Sequence, residues 1–171
     1  SPTFGTHAYF IELDTSGNVY VGTYSQGIRK FSPDGTSLGM WGSLGAGDQQ
    51  YKNLNGFTID QLGDLYIADS SNSRILKFSS DGTFIKSWGS FSLIGNGVVC
   101  CPHGIALDNA GTVYVADTYN SRIQKFSWDG VFLEQFRFED KPNLPYPVRP
   151  YGIAVDSSGN IYVTDRGHYT Y

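Results

Sequence analysis

One short pattern occurs four times in this chain, and that repetition limits what it can fold into more than any other feature. Gly56-Phe57-Thr58-Ile59-Asp60, Gly104-Ile105-Ala106-Leu107-Asp108 and Gly152-Ile153-Ala154-Val155-Asp156 share one template, with a divergent Phe10-Ile11-Glu12-Leu13-Asp14 in front. The closing aspartates are 46, 48 and 48 residues apart. A period in the forties with several short strands per unit is the sequence signature of propeller blades. It predicts architecture and not chemistry, because propellers carry unrelated functions and function has to be argued from a site.

The third unit shows how one blade is built. His103 to Leu107 is a short apolar stretch, and Asn109-Ala110-Gly111 supplies a turn whose glycine can take a positive φ. Thr112 to Asp117 contains the β-favouring run Val113-Tyr114-Val115, and Arg122 to Phe126 alternates apolar and polar residues. Asp129-Gly130 reads as a two-residue hairpin, followed by an outer strand Val131 to Phe136. Strands a, b, c and d thus form an antiparallel meander. The punctuation recurs at Gly17, Gly63 and Gly159, and at Asp34-Gly35 and Asp81-Gly82, and nothing offers a helical period. The fold class is therefore all-β, a partial propeller of four-stranded antiparallel blades, three complete and half a fourth. One domain spans 1–171, with repeats at about 7–42, 53–89, 101–136 and 149–171. Tyr20, Tyr66, Tyr114 and Tyr162 in strand b, Phe31, Phe78 and Phe126 in strand c, and Trp41, Trp88 and Phe136 in strand d are expected to pack blade on blade. Each contributes about 1.5–3 kcal/mol when buried.

Unit three, with its Cys101-Pro102-His103-Gly104 entry, Gly111 to Asp117, Asn120 to Phe126 and Asp129-Gly130, resembles the NHL-repeat family of propellers. So does the linker from Trp41-Gly42 to Gly47-Asp48-Gln49-Gln50-Tyr51. The resemblance covers essentially the whole chain. It implies a closed form of six blades with strand a nearest the axis. It also implies a structural pair between the acid ending strand b and the arginine opening strand c, here Asp69 with Arg74 and Asp117 with Arg122. Such a pair forms an intrablade ion bridge or caps the b–c loop. Unit one lacks both members, having Thr23 and Gly27 instead. Joint loss fits a pair, because removing one partner of a buried pair costs about 3–5 kcal/mol. Unit one also carries Phe10 for glycine and Glu12 for a smaller neutral residue, so its inner strand is expected to face something other than a standard blade.

Six blades at this period need roughly 280 residues, and the chain has 171. The expectation is a part of a longer protein, or else an assembly with other copies or with partners that covers the open blade faces. Charged residues are only 16% of the chain, and Gly, Ser, Thr, Asn and Tyr carry the surface, which points to an extracellular or cell-surface setting. No apolar run approaches a membrane span. The adjacent Cys100 and Cys101 suit neither a redox motif nor a metal site.

The residues entering the innermost strands, Tyr9, Asn55, His103 and Tyr151, are expected to line one mouth of the channel. Tyrosine there offers contact area with a hydrogen-bonding tip, which suits a protein, peptide or carbohydrate partner. The proline-rich connector Phe138 to Pro150, with Tyr146 and Arg149, is a second candidate surface. Two alternatives accompany this binding-module reading. Pro102-His103-Gly104 resembles a motif of the NHL-like lyases that finish peptide amidation, where three such histidines from alternate blades hold zinc. Tyr9 stands where the pattern requires another, so neither a metal nor a cofactor is expected. NHL propellers attached to tripartite-motif proteins bind RNA on a basic face. The net charge of −4 and a reading of Lys30, Lys77 and Lys125 as solvated positions weigh against nucleic acid here.

Overall fold

A computed structural model describes residues 8–23, 27–138 and 147–167. Blade one consists of β1 (Ala8–Leu13), β2 (Val19–Thr23), β3 (Ile28–Phe31) and β4 (Ser37–Trp41). A two-residue parallel pair, β5 (Ser43–Leu44) and β6 (Gln50–Tyr51), lies in the linker that follows. Blade two consists of β7 (Leu54–Ile59), β8 (Leu65–Asp69), β9 (Arg74–Phe78) and β10 (Phe84–Trp88). Blade three consists of β11 (Pro102–Leu107), β12 (Val113–Asp117), β13 (Arg122–Phe126) and β14 (Phe132–Arg137), and β15 (Pro150–Val155) pairs with β16 (Ile161–Asp165) in the fourth unit. The sheets are antiparallel meanders in chain order. The only helical element among the described residues is one 3-10 turn, Thr118–Asn120. No helix among them is long and apolar enough to cross a membrane.

The a–b turn has one construction in all four units. In unit three Asp108 Oδ1 accepts the N–H groups of Ala110 and Thr112, both at 2.9 Å, while Tyr114 Oη donates to Oδ2 at 3.1 Å. Asp14, Asp60 and Asp156 repeat this with Tyr20, Tyr66 and Tyr162. The recurring tyrosine is therefore a turn lock as well as a packing group. The c–d turn is wider than Asp-Gly by itself predicts. The Ser32 N–H donates to Thr36 O at 2.9 Å and the Gly35 N–H to Ser32 O at 2.8 Å, with a positive φ at the glycine and not at Asp34. This is a three-residue loop with a left-handed glycine instead of a two-residue hairpin. Its serine draws the chain into the larger ring by bonding both Asp34 and Thr36.

Blades meet through three layers. Beside the inner strands, a Cβ added at Gly56 would lie 2.5 Å from His103 O, and one at Gly104 would lie 2.5 Å from Tyr151 O. Adjacent inner strands thus touch backbone to backbone, which only glycine allows. In the middle, Tyr20, Leu54, Phe57, Leu65, Ile67 and Phe78 form one buried cluster across blades one and two, and Tyr66, Ile75, Ile105, Val113, Val115 and Phe126 form the next. At the outer edge, each strand-d tryptophan lies on the c–d turn of the following blade. Trp41 Nε1 donates to Ser79 O at 3.3 Å beside Gly82, and the Trp88 ring covers Gly130, where a Cβ would sit 2.6 Å away. Trp88 Nε1 is buried there without a hydrogen-bond partner.

Unit one departs from its expectation in a specific way. Phe10 packs edge-on against Phe57 of blade two, with ring centroids 6.5 Å apart, and Glu12 is exposed. The bulk that replaces glycine is accommodated within the chain, against the following blade. The glycine layer yields a direct test. Gly104→Ala introduces a clash with fixed backbone and is expected to cost about 3 kcal/mol, the upper range for overpacking. Gly159→Ala, at φ +83° with open space around it, bears only left-handed strain of about 1 kcal/mol. Urea unfolding midpoints of the two variants should fall in that order, and the reverse order would refute the backbone contact.

Candidate functional site

Each inner strand is irregular at its start. The pairing of β1 with β2 slips between Ala8 and Phe10, and that of β7 with β8 between Leu54 and Gly56. The β11–β12 pairing slips between Pro102 and Ile105, and the β15–β16 pairing between Pro150 and Ile153. Tyr9, Asn55, His103 and Tyr151 all fall within these bulges, which re-aim side chains and mark the rims of sheets. The His103 and Tyr151 rings lie 4.5 Å apart, and the Arg166 guanidinium sits 5.3 Å from the centroid of the Tyr151 ring. Tyr9 is 61% exposed and Tyr151 is 37% exposed, whereas His103 is buried. His103 Nδ1 is 2.9 Å from Cys101 O. A carbonyl can only accept, so Nδ1 carries the proton and Nε2 is left as an acceptor. Burial holds the imidazole below its ordinary value of 6.5; the bond to Cys101 opposes this and Arg166 reinforces it.

The acid–arginine residues form a second constellation where the end of strand b pairs with the entry of strand a. Asp117 Oδ2 accepts Arg122 Nε at 2.6 Å, Asn120 Nδ2 at 2.8 Å and Gln124 Nε2 at 3.0 Å, while Oδ1 accepts the Cys100 N–H at 2.7 Å. Arg122 spends its remaining donors on Gly95 O, Val98 O and Gln135 Oε1, at 2.7–2.8 Å. In unit two Asp69 accepts Arg74 Nε at 3.0 Å, Asn72 Nδ2 at 2.8 Å and the Lys52 N–H at 2.8 Å, and Arg74 donates to Gly47 O and Gln50 O. The pair therefore joins strands b and c to the linker arriving from the previous blade. Burial pushes the Asp69 carboxyl up, against the lowering effect of these donors. In unit one Thr23 Oγ1 donates to Gly27 O instead, at 3.0 Å. Asn72 and Asn120, which complete the clamps, were visible only as one residue type three positions after each acid.

The other candidates are dispersed. Tyr146 lies outside the described residues. Arg149 stacks its guanidinium 5.3 Å from the Tyr119 centroid, and its N–H donates to Asp165 Oδ1 at 3.0 Å. Cys100 and Cys101 are free thiols, and burial pushes that of Cys100 up to about 11. No group of three or more His, Cys, Asp or Glu residues among those described is arranged to hold a metal. The strand-c lysines differ from their expectation as solvated positions. Lys30, Lys77 and Lys125 lie 4.7–5.2 Å from the centroids of Tyr20, Tyr66 and Tyr114 and pair with Asp14, Asp64 and Glu134. Each ammonium is drawn inward by the face of the tyrosine that locks the neighbouring turn.

Meandering four-stranded sheets, with inner strands in backbone contact and tryptophans on the next blade's turn, define a β-propeller. A model of the NHL repeat matches residues 52–78 and 99–126, and one of the SBBP beta-propeller repeat matches residues 145–164. The second and third units are thus NHL repeats, set within a β-propeller fold. No curated protein matches its sequence. Among solved structures, a streptogramin B lyase superposes with a TM-score of 0.70 at 18% identity, over 92% of this chain and 48% of that one. A catalytically inactive virginiamycin B lyase from Staphylococcus aureus, solved with quinupristin, gives 0.71 at 18% identity, over 96% and 51%. The RRP9 WD40 repeats give 0.65 at 12% identity, over 84% and 40%. At these identities the likeness is one of fold, and the chain spans about half the length of the solved propellers it matches.

Two measurements follow. Arg122→Met leaves the sealed Asp117 carboxylate without its cation and should cost about 3–5 kcal/mol in urea unfolding. Arg74→Met, at a partly exposed site, should cost less, and equal losses would contradict the burial difference. The second concerns acid. The unfolded chain takes up the His103 proton near pH 6.5 while the folded chain stays neutral, so stability is full above that value and falls as pH drops below it. His103→Asn, the unit-two residue, should flatten the pH dependence of the melting temperature on that flank, and an unchanged slope would exclude His103 as its source.

Proposed function

We propose that this chain is a non-enzymatic interaction module that meets a protein, peptide or glycan ligand along the line Tyr9, Asn55, His103 and Tyr151. It would act as part of a larger secreted or cell-surface protein or assembly. The observation that carries the reading is the bulge at the start of every inner strand. Four independent sheets break register at the same step, and each break holds one of these residues. Aromatic faces, an amide and a neutral imidazole with a spare acceptor suit stacking and directional hydrogen bonds. The weakly charged composition supports the extracellular setting.

The lyase alternative has a fold precedent in the streptogramin and virginiamycin enzymes, but at 18% identity they bring no chemistry to this chain, and among the four inner positions only His103 offers a metal-ligating ring. The RNA alternative loses its phosphate track, because the strand-c lysines are held against tyrosines and carboxylates. The test is to screen the full chain on peptide and glycan arrays and titrate the best ligand. Tyr151→Ala is expected to weaken that ligand at least tenfold, a loss of about 1.4 kcal/mol or more, without lowering the melting temperature. Full affinity in Tyr151→Ala and His103→Asn together would refute the site, and a metal-dependent turnover abolished by His103→Ala would refute the non-enzymatic reading.

A further inference from the structure

A cleft of about 510 Å³ opens between blades two and three, away from the inner-strand line, and Leu62, Asp64, Lys77 and Trp128 are among the residues that line it. Comparing the chain with its own repeats singles these residues out. Leu62 is the third residue of an a–b turn whose counterparts are Ser16, Ala110 and Ser158. Asp64 stands where the other units have Asn18, Thr112 and Asn160, and Trp128 stands where the c–d turns of units one and two have Pro33 and Ser80. Three departures from the repeat therefore meet in one cleft, although they come from two blades and two kinds of turn. The two apolar ones are turned outward, Leu62 at 82% and Trp128 at 62% exposure. Turn chemistry does not require them, since the sibling turns close without them. Exposed apolar side chains that converge on a concave polar surface mark a contact site.

The charge of the cleft selects the partner. Asp60, Asp64 and Asp108 contribute three carboxylates to its lining, against the single ammonium of Lys77, which lies 3.2 Å from Asp64 Oδ2. The turn hydrogen bonds hold Asp60 and Asp108 in place. Lys77 also lies 5.1 Å from the centroid of the Trp128 ring, so this indole already takes a cation on its face. An anionic ligand is repelled, while a ligand with a cationic head and an apolar stem finds carboxylates, an aromatic face and Leu62 together.

We propose that this cleft docks a lysine or arginine side chain presented by an exposed segment of a protein partner. The inference rests on the reading of the chain as an interaction module and assigns it a second surface with defined chemistry. The probe is the capped peptide acetyl-Gly-Ser-Arg-Ser-Gly-amide, with a citrulline counterpart that keeps the shape and removes the charge. It is titrated into the full chain while the backbone amide resonances of Ala110 and Gly111, which also line the cleft, are followed by NMR in the parent and in every variant. Binding of the arginine peptide is expected to be at least tenfold tighter than that of the citrulline peptide and to weaken severalfold as salt rises. Trp128→Ser and Leu62→Ser install residues that the sibling turns already carry, so the fold is kept, and each should weaken the arginine peptide, the first by tenfold or more. Equal binding of the two peptides, full binding by Trp128→Ser, or saturation of the cleft by a neutral oligosaccharide would overturn the proposal. Tyr151→Ala should leave this titration unchanged. A failure here beside an array ligand that still depends on Tyr151 would remove the cleft and leave the inner-strand site standing.

Discussion

A carboxylate sealed at the end of strand b organises the rest of units two and three. Asp117 is fully buried and accepts hydrogen bonds from Arg122, Asn120, Gln124 and the Cys100 N–H, while Arg122 reaches back to the carbonyls of Gly95 and Val98. A buried charge is tolerable only when it is paired and saturated with donors. Here the donors come from strand c and from the linker, so satisfying the charge also places the linker. Asn53 and Cys101 each follow a clamped N–H and are held at φ +63° and +51°, conformations that non-glycine residues adopt only where surrounding bonds fix them. Each blade is thereby attached to the one before it without depending on apolar burial alone.

That attachment sets up the inner-strand geometry. Once a linker is anchored, the chain enters strand a at a fixed height, and the glycines at 56 and 104 let neighbouring strands approach backbone to backbone. Pairing with strand b slips register at the entry in every unit, unit one included. Across the glycine contact between units three and four, the His103 and Tyr151 rings lie 4.5 Å apart. Unit one has neither the clamp nor the glycine. Its Phe10 fills against Phe57 instead, and the approach of the first two inner strands is mediated by side chains.

The parts that could be read in the chain were those carried by local chemistry. Asn109, Ala110 and Gly111 announced the a–b turn by local chemistry, whereas Tyr114 was read as a packing group and its bond to Asp108 came only with the structure. The acid–arginine pairs were implied by the resemblance to the NHL repeat, and they lie opposite one another on adjacent strands. The strand-c lysines were misread because their position on the strand pattern suggested solvent, and the tyrosine face and carboxylates that draw them in belong to other strands. The cleft beside Trp128 was not seen at all. Its components are two ordinary turn positions and an acid, and they acquire meaning only when blades two and three are side by side.

By itself, the sequence determined the repeat, the strand order within a blade and where the turns fall, because all of these arise from contacts between near neighbours in the chain. Only the tertiary structure decided that the Asp117–Arg122 pair holds a linker, that the entry residues sit in bulges, and that Leu62 and Trp128 line one cleft. Those outcomes depend on the distance between blades, and that distance is set by glycine contacts and buried aromatics acting between residues about fifty positions apart.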